Sequence, residues 1–128
     1  YASWYSHVPG LKVIAPYSAK DAKGLLKSAI QDTNPVVFLE NEILYGHTHE
    51  VPEGEYLVEI GKAAVIKEGT DITITAFSLQ VQNALKAAEK LKEIGLNAEV
   101  IDLRTLRPLD IDTIIKSVQK TNRLICIE

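Results

Sequence analysis

Methionine is absent from the 128 residues, and cysteine and tryptophan occur once each. A lone Cys126 excludes an internal disulfide and points to a reducing compartment, and its place in the run Leu124 to Ile127 reads as a buried structural thiol. No apolar run approaches the roughly 20 residues that cross a bilayer as a helix, and no charged-then-apolar leader opens the sequence. A basic stripe is lacking too. Lys and Arg number 14 against 17 Asp and Glu, a formal net charge of -3, with a pI near 5.6. That balance argues against a nucleic-acid or anionic-membrane partner and leaves proteins or small molecules. Also missing are a glycine-rich phosphate loop, a nucleophile elbow, metal-ligand His/Cys spacing and a nucleophile beside a base, so no catalytic residue is assigned in this chain. The aromatic opening (Tyr1, Trp4, Tyr5), the lack of Met and the core-like last residues read as a piece of a longer polypeptide.

What is present is an ordinary globular composition, 46% hydrophobic and 24% charged, able to bury a sizeable core. Tyr1 to Gly10 reads as a loop or the tail of a helix. Leu11 to Ala15 is a short strand closed by Pro16. Ser18 with Asp21 three residues on predicts a helix start, and Ala22, Leu25, Leu26, Ala29 and Ile30 mark one helical face. Gly24 within it reads as close packing against a sheet. Pro35 turns the chain into Val36 to Leu39, four apolar residues expected of a strand covered on both faces.

Residues 47–69 follow as linker and entry strands, with short strand-like runs from Tyr56 to Ile66. Ile72 to Phe77 alternates as a strand, Ser78 is a candidate cap for the next helix, and Gly95 its left-handed end. Ala98 to Leu103 is a strand. Asp110 caps a helix with Ile111, Ile114, Ile115 and Val118 on one face, and Arg123 to Ile127 is the last strand. The order βαβ, loop, βαβαβ predicts an α/β protein with two parallel-sheet, three-layer units.

Chemistry is expected where strands end, which places Glu40, Asn41 and Glu42 at a candidate site. Glu40 and Glu42 share a face on an extended chain and could raise each other's pKa, or they are solvent-facing acids of a turn. His7, His47 and His49 read as solvated or packing residues, since a chelating pair at His47 and His49 lacks a third ligand. The helix end from Ala29 to Asn34 offers oxygen atoms for a hard cation, or is an ordinary C-terminal turn. Asp102, Arg104, Arg107 and Asp110 could bind an anion or pair with one another at a domain or subunit contact.

Four runs carry a resemblance: Trp4-Tyr5-Ser6-His7-Val8-Pro9-Gly10-Leu11-Lys12-Val13, Asp21-Ala22-Lys23-Gly24-Leu25-Leu26, Asn34 through Glu42, and Asp102 through Asp110. Together, in order and over essentially the whole chain, they resemble the β subunits of pyruvate dehydrogenase decarboxylases, in the transketolase-like thiamine-diphosphate superfamily. The resemblance implies that residues 1–46 are the second half of a pyrimidine-binding domain and 70–128 the first half of a transketolase C-terminal domain. It implies thiamine diphosphate with Mg2+ as cofactor, and decarboxylation of pyruvate with transfer of the acetyl group to a lipoyl group. It also implies an α2β2 assembly with an α subunit and a second β subunit, and a lipoyl transacetylase partner, in a bacterial cytoplasm or a mitochondrial matrix.

The family's activating Glu and active-site His would precede Tyr1, so the chain alone is expected to be inactive, with Tyr1 and Trp4 as remaining pocket wall. A structural K+ site is implied at Ala29, Ile30, Asp32 and Asn34, completed by an upstream carbonyl. A branched-chain 2-oxoacid dehydrogenase β subunit and a noncatalytic subunit-association module are the competing readings.

Overall fold

The computed structural model describes residues 1–128. A short helix α1 (Ala2–Ser6) leads through a turn into β1 (Lys12–Ile14), α2 (Ala19–Gln31) and β2 (Val36–Phe38). A 3-10 turn (Glu42–Gly46) and an irregular linker precede β3 (Ala64–Lys67), β4 (Ile72–Ala76), α3 (Gln80–Glu93), β5 (Ala98–Asp102), β6 (Thr105–Arg107), α4 (Ile111–Thr121) and β7 (Leu124–Cys126). The strands form two sheets, ordered β2-β1-β6 and β3-β5-β4-β7.

Sequence chemistry explains the firm elements. Ser18 Oγ accepts the Asp21 N–H and donates to its carboxylate, closing the first turn of α2. Asp110 does the same for α4, accepting from the Thr113 N–H and hydroxyl. At the far end of α3, Gly95 has φ 82, which a β-carbon would oppose. In β4 the alternation divides two faces: Ile74 and Ala76 join Val81, Ala84, Ala88, Ala98 and Val100 in the main core. Thr73 faces α4 instead, with its hydroxyl 2.6 Å from both Ser117 Oγ and Thr121 Oγ1. Helices on both faces make this sheet a three-layer unit.

The α/β class holds, and several details differ. Each sheet has a parallel centre and one antiparallel edge: β6 on β1, and β3 on β5. Strand β6 leaves its own half to join the first sheet, so that sheet is built from both halves. Val36–Phe38 are only half-buried, because β2 is the edge strand of its sheet. Gly24 packs against the linker, not the sheet: a β-carbon there would stand 2.4 Å from Val58 Cγ2 and 2.9 Å from Tyr56 Cε2. Leu26 and Ile30, expected inside, are 45% and 76% exposed.

Only Ala64–Lys67 of the strand-like runs before Ile72 pairs as a strand. Ser78 does not cap α3. It sits at φ 50 and its N–H donates to the Ala15 carbonyl, which leaves Leu79 as an N-cap with no side-chain bond. On α4 the buried residues are Ser117 and Thr121, while Ile111 and Ile115 stay exposed, since Thr73 offers hydroxyl partners where an apolar sheet face would have drawn the isoleucines. Cys126 is exposed, because β7 is an edge strand with all three residues open.

Candidate functional site

Strands β1, β2 and β4 end together. Their carboxyl ends open on a cleft of about 360 Å3 lined by Ala15 after β1, Leu39 to Asn41 after β2, Phe77 and Ser78 after β4, and Tyr1 to Ser3 at the start of α1. The walls are tied by main-chain bonds: the Leu39 N–H donates to the Ile14 carbonyl and the Ser78 N–H to that of Ala15. A neighbouring cavity of about 250 Å3 shares Glu40 and Asn41 and adds Tyr17, Ser18, Tyr45, His47 and His49. Of the strand-end residues named from sequence, Glu40 and Asn41 line both cavities and Glu42 lines neither.

Each polar group has a fixed task. Glu40 Oε2 accepts the Tyr45 hydroxyl at 2.9 Å, and that acceptor raises the Tyr45 pKa. Asn41 Oδ1 accepts the Ile43 N–H and so caps the 3-10 turn that Glu42 opens. His49 Nδ1 accepts the Ala19 N–H at 3.4 Å, and its ring meets Tyr17 edge-on at 5.4 Å between centroids. His47 and His49 lie 6.4 Å apart by centroid, and no group of three or more His, Cys, Asp or Glu comes together to hold a metal. The cleft can therefore seat and orient a ligand with one carboxylate, one amide and an aromatic wall. It has no paired nucleophile and base.

Tyr1 and Trp4 touch each other edge to face at 5.2 Å, but they point apart. Tyr1 lines the cleft, whereas Trp4, 69% exposed, faces a shallow pocket with Ser3 and His7. The candidate cation residues gather at the end of α2, whose last carbonyls have no helical partner. There the Ala29 carbonyl accepts the Asp32 N–H, and Asp32 Oδ1 accepts both the Asn34 N–H at 2.8 Å and its Nδ2 at 2.9 Å. Asp32 Oδ2 takes the Lys12 ammonium of β1. These hydrogen bonds, Lys12 first, hold the Asp32 carboxyl down at about 2. The Ala29 carbonyl and both Asp32 carboxylate oxygens are thus already paired within this turn and with β1.

Sequence reasoning missed Lys12, Phe77 and Ser78 here. Of the set Asp102, Arg104, Arg107 and Asp110, expected to bind an anion or pair with one another, Arg104 instead places Nη2 2.7 Å from Asp21 Oδ1 on α2. Arg107 reaches back as well, donating to the Ser6 carbonyl of α1. Both arginines thus serve the contact between the halves.

Residues 61–128 match the family described as transketolase, C-terminal domain. The chain belongs to that family. Ahead of its transketolase C-terminal part, residues 1–48 match the transketolase pyrimidine binding domain. Among curated relatives, the pyruvate dehydrogenase E1 component subunit beta of Rickettsia bellii is 60% identical over 128 residues, covering 100% of this chain and 39% of that protein. A mitochondrial subunit beta-1 of Oryza sativa subsp. japonica is 59% identical over 132 residues, covering 100% and 35%. The chain thus spans well under half the length of these relatives.

Among solved structures, a split gene transketolase described as an inactive beta4 tetramer superposes with TM-score 0.84 at 26% identity, covering 99% of this chain and 42% of that one. A transketolase from Pichia stipitis superposes with TM-score 0.69 at 19% identity, covering 98% and 19%, a likeness of fold alone. No helix in this family member is long and apolar enough to cross a membrane.

Proposed function

We propose that this chain is part of the β subunit of a thiamine-diphosphate-dependent pyruvate dehydrogenase decarboxylase. The observation that carries the reading is 60% identity, end to end, with a protein of that name, on two matched transketolase segments in the same order. Its reaction is oxidative decarboxylation of pyruvate with transfer of the acetyl group to a lipoyl group. Its partners are an α subunit, a second β subunit and the lipoyl transacetylase, in a bacterial cytoplasm or a mitochondrial matrix. When bound, thiamine diphosphate supplies the carbon nucleophile and electron sink for loss of carbon dioxide.

This chain's own part is the wall. Tyr1, Glu40 and Asn41 all line the cleft. We assign the structural K+ implied by the resemblance to the end of α2, at Ala29, Ile30, Asp32 and Asn34, where it would compete with the Lys12 ammonium for the Asp32 carboxylate.

Calorimetry with thiamine diphosphate and Mg2+ tests the shared site. The full-length β polypeptide assembled with its α subunit should bind one cofactor per αβ pair, and residues 1–128 alone should bind none. Tight stoichiometric binding by 1–128 alone would refute a cofactor site divided between subunits. A second reading, a noncatalytic association module, draws on the lack of any nucleophile and base pair. It would be favoured if the assembled protein bound no cofactor.

A further inference from the structure

Three charged side chains meet at the seam between the halves, and their charges do not balance. Asp21 on α2 is 4% exposed and Asp102, at the end of β5, is 1% exposed. Between them stands one guanidinium, Arg104, held at φ 58 in the turn after β5. Its backbone N–H donates to Asp102 Oδ1 at 3.0 Å, its carbonyl accepts the Ala15 N–H, and its Nη2 contacts Asp21. Asp102 Oδ2 and Arg104 Nε are buried without any hydrogen-bond partner, and Asp21 Oδ1 meets Arg104 as an ion pair without forming a hydrogen bond. An orphaned buried carboxylate oxygen costs most when it carries charge.

We propose that Asp21, Arg104 and Asp102 form a proton-operated latch between the two halves, closed when Asp102 is protonated and loosened when it ionises. One guanidinium neutralises one carboxylate, Asp21, which the Ser18 hydroxyl also supports. A proton on Asp102 leaves the seam neutral. Losing it buries an uncompensated negative charge beside a second carboxylate.

The surroundings offer nothing to absorb that charge. Strand neighbours Ala64 and Ala76 are apolar. Tyr17, from the loop after β1, is the remaining titratable group that senses Asp102, and its own pKa is raised by burial and by that carboxylate. His49 lies beyond the Tyr17 ring. Burial first, then the Asp21 charge, pushes Asp102 up to about 7 against the pull of Arg104. An unfolded aspartate loses its proton near 4, so stability from this group is full below that pH and falls as pH rises through about 7.

The test uses the full-length protein with its subunits and does not depend on the enzyme reading. Between about pH 6 and about pH 8 the wild-type Tm should fall by about 1–2 °C more than that of Asp102→Asn, whose side chain stays neutral. Asp21→Asn, removing the competing carboxylate, should move the wild-type transition to lower pH. Infrared difference spectra of the wild type should show the carbonyl stretch of an un-ionised carboxylic acid appearing on going from pH 8 to pH 6, which reads the proton even if a variant fails to fold. Equal pH dependence in wild type and Asp102→Asn, or no such band, would overturn the latch.

Discussion

The two sheets are made of similar residues yet are held together differently. In the β3-β5-β4-β7 sheet, all five residues of β5 are buried and seven apolar side chains form a closed core with α3. In the β2-β1-β6 sheet no residue of β2 is fully buried, and the apolar core comes down to Val13, Ile14, Ala15 and Leu25. What the first sheet lacks in core it takes from the second half and the linker: β6 as an edge strand, Arg104 on Asp21, and Val58 of the linker against Gly24 of α2. A core-rich sheet stands on its own contacts, whereas a core-poor one depends on segments that cross to it.

The sharpest way to break that comparison is Gly69→Ala. A β-carbon at Gly69 would sit 2.2 Å from the Ala98 carbonyl carbon and from the Glu99 nitrogen, backbone atoms that cannot step aside. The expected cost is about 3 kcal/mol or more, read by urea unfolding. Because the first sheet leans on the second, its signal should be lost in the same transition. Leu25→Ala, at a fully buried position of the first half, should cost roughly 2–5 kcal/mol. Its faster hydrogen exchange should be confined to β1, α2 and β2, and equal acceleration in β5 would contradict the asymmetry.

Within the second half, Thr73→Val removes the hydroxyl shared by Ser117 and Thr121 and should cost roughly 1–3 kcal/mol in thermal unfolding. The smallest effect concerns the α2 end. Lys12 and Asn34 depress the Asp32 pKa, so its contribution is present above pH 4 and lost as pH falls towards about 2. Asp32→Asn should therefore lower Tm at neutral pH and flatten the acid limb. Asp32→Ala should in addition weaken any dependence of Tm on KCl, and an unchanged KCl response would remove the K+ proposal.

Much of this was legible in the residues. Ser18 and Asp110 announce their helices because an N-cap acts within three residues, and the alternation of Ile72 to Ala76 announces β4 because neighbouring side chains point to opposite faces. Strand β6 was not legible as part of the first sheet, since pairing across some ninety residues leaves no local period. Nor was the polar face of α4, where isoleucine spacing pointed one way and the partners waiting on Thr73 decided otherwise.

At the site, Glu40 and Asn41 followed from the rule that ligands sit at strand ends. Phe77 and Ser78 fall under the same rule at the end of β4, but Ser78 also reads as a cap for α3, a role it does not take. Lys12 escaped notice for the same reason as β6. Its partner Asp32 lies twenty residues away.

The most direct measurement is 2-oxoacid decarboxylation by the full-length β polypeptide coexpressed with its α partner, with thiamine diphosphate and Mg2+, comparing pyruvate with 3-methyl-2-oxobutanoate. Turnover that requires the cofactor and prefers pyruvate is the expected result. Preference for the branched acid would contradict the substrate, and absence of any thiamine-dependent turnover would contradict the enzyme itself.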